Sequence, residues 1–258
     1  MAPPKNKYPP ETEQPLIGHL IELRTRLIRI IASITVIFLA LSPFVNDLYH
    51  ILAKPLLTYL PEGGTMIATE VASPFLAPFK FSLVLAFFIA IPYVLYQIWS
   101  FIAPGLYQNE RKIAIPLFIS STMLFYAGIA FAYYLVLPMV FKFMVGTAPQ
   151  GVTVMTDISK YLDFVLKMFF AFGVAFEIPV ATVLIVLAGF VSTESLVQKR
   201  RYIIVGAFVV GMLLTPPDVI SQIMLAIPMW LLFEAGVFFA RRVESRRASQ
   251  HETDTESS

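Results

Sequence analysis

Six stretches of the chain run almost free of charge, at about 23–45, 74–101, 113–144, 158–190, 202–214 and 219–240, and polar residues gather between and beyond them. A helix needs about 20 apolar residues to cross a hydrocarbon core about 30 Å thick. The pattern therefore predicts an all-α integral membrane protein with six transmembrane helices. The last two spans are expected to be short. The fifth covers only about 20 Å as a helix, so either the bilayer thins around it or the final hairpin is partly re-entrant. Thr215-Pro216-Pro217-Asp218 joins these two spans, and its two prolines forbid a continuous helix.

Composition agrees. The 258 residues are 57% hydrophobic and only 14% charged, with a mean hydropathy of +0.74, whereas soluble domains are about a quarter charged. There is no cysteine, hence no disulfide framework, thiolate nucleophile or thiolate metal site. Residues 1–18 form a polar, proline-rich tail without the apolar core of a cleaved signal peptide. Residues 241–258 form a second polar tail, and both tails read as disordered. The six-span domain occupies 19–240.

Six spans return the chain to the side on which it started. The basic residues choose that side: Lys5, Lys7, Arg24, Arg26, Arg29, Arg111, Lys112, Lys199, Arg200, Arg201, Arg241, Arg242, Arg246 and Arg247 all fall on it, out of nineteen in the chain. The positive-inside rule places both termini in the cytoplasm. The long outside loop, 46–73, is apolar enough to lie at the interface as a cap. Pro92, Pro116, Pro138, Pro179 and Pro228 fall inside apolar runs, where each removes a helix hydrogen bond. Helices kinked in this way suit a cupped bundle.

No enzyme site emerges. His19, His50 and His251 are scattered outside the spans, and the chain has no HExxH, Gly-x-Ser-x-Gly or phosphate-binding glycine loop. It also lacks the paired mid-span aspartates of an intramembrane protease, and no cofactor or metal is implied. Acids and bases at the cytoplasmic rim remain. Glu22 lies in HLIELR and Glu110 in the loop FIAPGLYQNER. Locally, Glu22 with Arg26 is an i,i+4 surface pair and Glu110 a solvated loop acid. Alternatively, the two carboxylates form a receptor for a dication, selecting arginine over lysine because guanidinium matches a carboxylate as a planar fork.

HLIELR, FIAPGLYQNER, FEIP and GMLLTPPD, in this order over about residues 14–240, resemble the TatC family, the multispanning core of the bacterial twin-arginine protein translocase. The resemblance implies a receptor and assembly platform in the bacterial cytoplasmic (inner) membrane. It would bind twin-arginine signal peptides of folded precursors, work in an oligomeric complex with TatA and TatB, and use the proton motive force. It implies that Glu22 and Glu110 recognise the two arginines and that Arg24 serves the same site. Pro55 in the outside loop and Asp218 in the TPPD turn match sensitive positions of the family. Local chemistry offers simpler roles for these two: Pro55 stiffens a loop and Asp218 caps a helix.

Glu177, in FGVAFEIPVATVL, stands at mid-span, where a carboxylate facing lipid is costly. The resemblance implies a place on the concave face, where it could attract water, thin the bilayer or meet a polar group of a partner helix. The plainer reading is a protonated Glu177 hydrogen-bonded to a neighbouring helix. A competing function, a proton-coupled small-molecule permease with Glu177 as carrier, would favour inverted repeats, and the two halves of the chain show no such similarity.

Overall fold

The computed structural model describes residues 13–57, 66–102, 111–147, 155–214 and 219–256. α1 (Glu13–Leu41) passes through a single 3-10 turn, Ser42–Phe44, into α2 (Val45–Leu57). β1 (Met66–Ile67) precedes α3 (Ser73–Ile102), and α4 (Arg111–Phe131) continues through a π-helical turn, Ala132–Val136, into α5 (Leu137–Gly146). β2 (Thr156–Asp157) leads into α6 (Ile158–Ala175), which breaks at Phe176 and Glu177 before α7 (Ile178–Leu187). α8 (Thr193–Gln198), α9 (Arg200–Leu214) and α10 (Val219–Glu256) complete the described chain.

Helices dominate because lipid cannot satisfy backbone polar groups, so each spanning segment must bond within itself. Among the described residues, five helical stretches are long and apolar enough to cross: 20–53, 73–101, 115–146, 158–187 and 222–245. α9 is the sixth and reaches only about 22 Å. The last helix differs from the expectation of a disordered tail after residue 240. α10 runs for 38 residues and carries its helix through the polar segment to Glu256. Arg242 begins that extension with its guanidinium 4.8 Å above the Phe238 ring.

The prolines also act more selectively than their number suggests. Pro78 and Pro92 lie within an unbroken α3, Pro116 within α4 and Pro228 within α10. Pro138 and Pro179 instead sit in the first turns of α5 and α7, where a missing N–H costs nothing. The breaks precede them, as the π-turn and the Phe176–Glu177 turn.

α6 is the central helix. Leu162, Val165, Met168 and Phe172 are wholly buried among Leu137, Val140 and Leu225 of neighbouring helices. In contrast, α1 exposes Leu23, Leu27, Ile31, Val36 and Leu39, a lipid-facing surface, and packs on α3. Lipid supplies no hydrophobic drive between helices, so close approach at small residues matters. A Cβ on Gly128 would collide with the Phe172 carbonyl oxygen, and one on Gly236 would lie 2.8 Å from Pro179 Cα.

At the rim where α3 and α6 begin, β1 and β2 pair in parallel, Met66 with Thr156 and Ile67 with Asp157. Asp157 caps α6 by accepting from the Ser159 and Lys160 amides, and its other oxygen accepts from the Thr69 amide and hydroxyl. The Thr69 hydroxyl, then the Thr69 and Lys160 amides, hold its carboxyl down to a pKa of about 2. The Ser159 hydroxyl also meets Ser73 at 2.9 Å, so the loop before α3 and the start of α6 are tied together.

Candidate functional site

The opposite rim, where α1 begins and α3 ends, carries the candidate binding acids. Glu22 and Arg26 lie one helical turn apart on α1, and the Arg26 guanidinium meets Glu22 Oε1 through Nη2 at 2.5 Å and Nε at 3.1 Å. The same guanidinium crosses to α3. It donates to the Gln97 carbonyl at 3.2 Å, to Gln97 Oε1 at 3.3 Å and to the Ser100 carbonyl at 3.2 Å. The Ser100 carbonyl belongs to the last turn of α3, which lacks intrahelical partners and carries the negative end of the helix dipole. A cation there satisfies both needs.

All five N–H donors of Arg26 are thus in use. Glu22 keeps Oε2 unbonded among the described residues, with its side chain 39% exposed. Gln97, almost fully buried, completes the contact between α1 and α3. Arg24 is exposed and makes no hydrogen bond or ion pair among the described residues. Arg26, not Arg24, orients Glu22. The i,i+4 spacing showed that pair, but nothing in the sequence pointed to Gln97 or Ser100.

Glu110 and Asp218 lie outside the described residues. Arg111, the residue after Glu110, opens α4. Pro55 lies on α2, so it is part of a helix rather than the loop expected from its spacing.

Glu177 occupies the break between α6 and α7 and faces α4, where the Ser121 hydroxyl donates to its Oε2 at 2.5 Å. Oε1 is buried with no hydrogen-bond partner among the described residues. Two further polar contacts join α10 to the segments before it. Arg200 on α9 meets Glu234 Oε2 at 2.6 Å, and the Thr193 hydroxyl meets Glu244 Oε2 at 2.5 Å. Among the described residues, no three His, Asp or Glu side chains converge as metal ligands.

Long apolar helices, lipid-facing side chains and polar clusters at the rims define a polytopic α-helical membrane protein. The chain belongs to the TatC family: the family model described as Sec-independent protein translocase protein (TatC) matches residues 18–228. The TatC protein of Azotobacter chroococcum mcd 1 is 59% identical over 239 residues, covering 92% of this chain and 94% of that one. That of Escherichia coli (strain K12) is 57% identical over 231 residues, 90% of each chain. A crystal structure described as the twin arginine translocase receptor TatC superposes with a TM-score of 0.77 at 39% identity. It covers 86% of this chain and 98% of that one. Membership makes this chain a multi-pass protein of the bacterial inner membrane and a component of a protein translocase.

Proposed function

We propose that the chain is the receptor for twin-arginine signal peptides and the platform on which TatA and TatB assemble, in a translocase driven by the proton motive force. The observation that carries the receptor reading is the state of Glu22: among the described residues Arg26 is saturated while Oε2 accepts no hydrogen bond at the rim. In this reading the rim faces the cytoplasm. One signal-peptide guanidinium docks on Glu22 and the second on Glu110, with Arg24 at the edge of the same site. Partial exclusion of water beside the membrane strengthens each pair relative to water. Lysine is the poorer ligand because an ammonium cannot reproduce the planar fork. Pro55, Asp218 and Glu177 serve the complex away from that rim, with Glu177, tied to Ser121 of α4, on the concave intramembrane face.

The test is binding of a twin-arginine signal peptide to the purified chain in nanodiscs. Loss of one charge-assisted contact predicts affinity about ten- to a hundredfold weaker for Glu22→Ala, for Glu110→Ala and for a Lys-Lys peptide. Equal affinity in all four measurements would sink the receptor site.

A further inference from the structure

On the side of the bundle away from the Glu22 rim, a groove of about 630 Å³ runs between α3, α6, α9 and α10. Lys80, Asp163 and Lys167 line its mouth and Val174, Val210 and Met229 its apolar floor. The volume falls within the range of about 300–1,000 Å³ typical of ligand sites. Lys80 Nζ meets Asp163 Oδ1 at 2.5 Å. Lys167 stands one turn further along α6, exposed, and forms no ion pair among the described residues. Among the described residues the mouth therefore carries one uncompensated positive charge, above an apolar floor.

Depth gives the second argument. Lys80 and Lys167 lie about 10 and 14 Å along α3 and α6 from the ends of those helices, which in a bilayer of full thickness would hold ammonium groups in hydrocarbon. α9, however, spans about 22 Å against a core of about 30 Å. Val210, one turn before the end of α9 at Leu214, lines the floor below the lysines, so α9 ends beside the groove and does not extend far above it. A bilayer thinned to meet α9 brings its phosphates down to that level. Side chains on helices point toward the N-terminal end, which on both α3 and α6 is the rim of this leaflet, so both lysines reach upward to it.

We propose that the groove binds one anionic phospholipid of the leaflet opposite the Glu22 rim, with its phosphodiester on Lys167 and Lys80 and an acyl chain against Val174, Val210 and Met229. The charge at the mouth complements a singly charged phosphodiester. A transmembrane helix from a partner would fill the floor but leave Lys167 unmatched. This site is independent of the receptor reading, because it lies at the other rim and its occupancy is read without signal peptide.

The experiment titrates the detergent-purified full chain with phosphatidylglycerol or with phosphatidylcholine of the same chains, and counts bound lipid by native mass spectrometry. The wild type is expected to retain phosphatidylglycerol in preference. Lys167→Gln should weaken phosphatidylglycerol by about fivefold and leave phosphatidylcholine unchanged. Val174→Trp, which fills the floor at an exposed position, should weaken both lipids. Lys142→Gln, exposed on α5 outside the groove, should change neither. Equal retention of the two lipids, or undiminished phosphatidylglycerol binding in Lys167→Gln, overturns the proposal. So does a photo-crosslinker at position 174 that captures a polypeptide rather than lipid in native membranes.

Discussion

Ser121 on α4 donates a hydrogen bond to Glu177 at 2.5 Å, joining two residues 56 positions apart, while the second carboxylate oxygen lies buried without a partner. The contact holds the α6–α7 break against α4 and leaves Glu177 one acceptor that nothing in the described chain uses.

Removing that donor should cost more than altering the acid. Ser121→Ala strands a buried carboxyl and is expected to destabilise the protein by about 1–3 kcal/mol. Glu177→Gln keeps an acceptor for Ser121 and should cost less. Thermal unfolding of both variants in one detergent ranks the two changes, and a Ser121→Ala variant as stable as the wild type would show that the hydrogen bond contributes nothing.

Arg26 joins the binding acid to the end of α3. Arg26→Ala is expected to lower stability by about 1.5–3 kcal/mol, since charge-assisted bonds to Glu22, Gln97 and Ser100 go together. It should also weaken signal-peptide binding by releasing Glu22 from its fixed rotamer. Arg26→Lys should restore little of either, because an ammonium cannot reach along both arms of the fork. Unfolding midpoints and peptide affinity measured on the same preparations check this.

Glycine-to-alanine changes should reverse sign with position. Gly206 has no atom within 4 Å of an added Cβ, so Gly206→Ala is expected to stabilise α9 by up to about 1 kcal/mol. Gly128→Ala must push against the Phe172 backbone and should destabilise by about 1–3 kcal/mol. Paired unfolding curves decide it. A stabilised Gly128→Ala would show that α4 and α6 are free to separate.

Asp157 makes the junction at the start of α6 sensitive to acid. Its folded pKa of about 2 lies below the ordinary value of 3.8, so its bonds to Thr69 and the α6 amides stabilise the fold fully above that ordinary value. That stability is lost as pH falls through the folded value. The gap in unfolding temperature between wild type and Asp157→Asn should stay constant from about pH 7 to 5, then close between about pH 4 and 2. A gap that widens on acidification would refute the assignment.

The rim acids were legible at the level of residues, and their surroundings were not. HLIELRTR displays Glu22 and Arg26, the basic residue one turn on, because helical periodicity is local. That Arg26 spends its remaining donors on Gln97 and Ser100 follows from where α3 ends, more than 70 positions away. Lys80 and Lys167 each stand in an apolar run of the sequence. Only packing sets Asp163 against Lys80, 83 positions apart, and leaves Lys167 unmatched over a groove.

Apolar patterning alone makes this protein a bundle of membrane-crossing helices. In lipid every backbone group must bond within its own segment, so long apolar runs have one outcome, and the placement of arginines and lysines orients them. Packing set which prolines sit beside helix breaks, that the last helix continues to Glu256, and which polar side chains Asp163 and Glu177 meet. Those are contacts between segments far apart in the chain, and they depend on close approach at residues such as Gly128 and Gly236, whose spacing no local pattern announces.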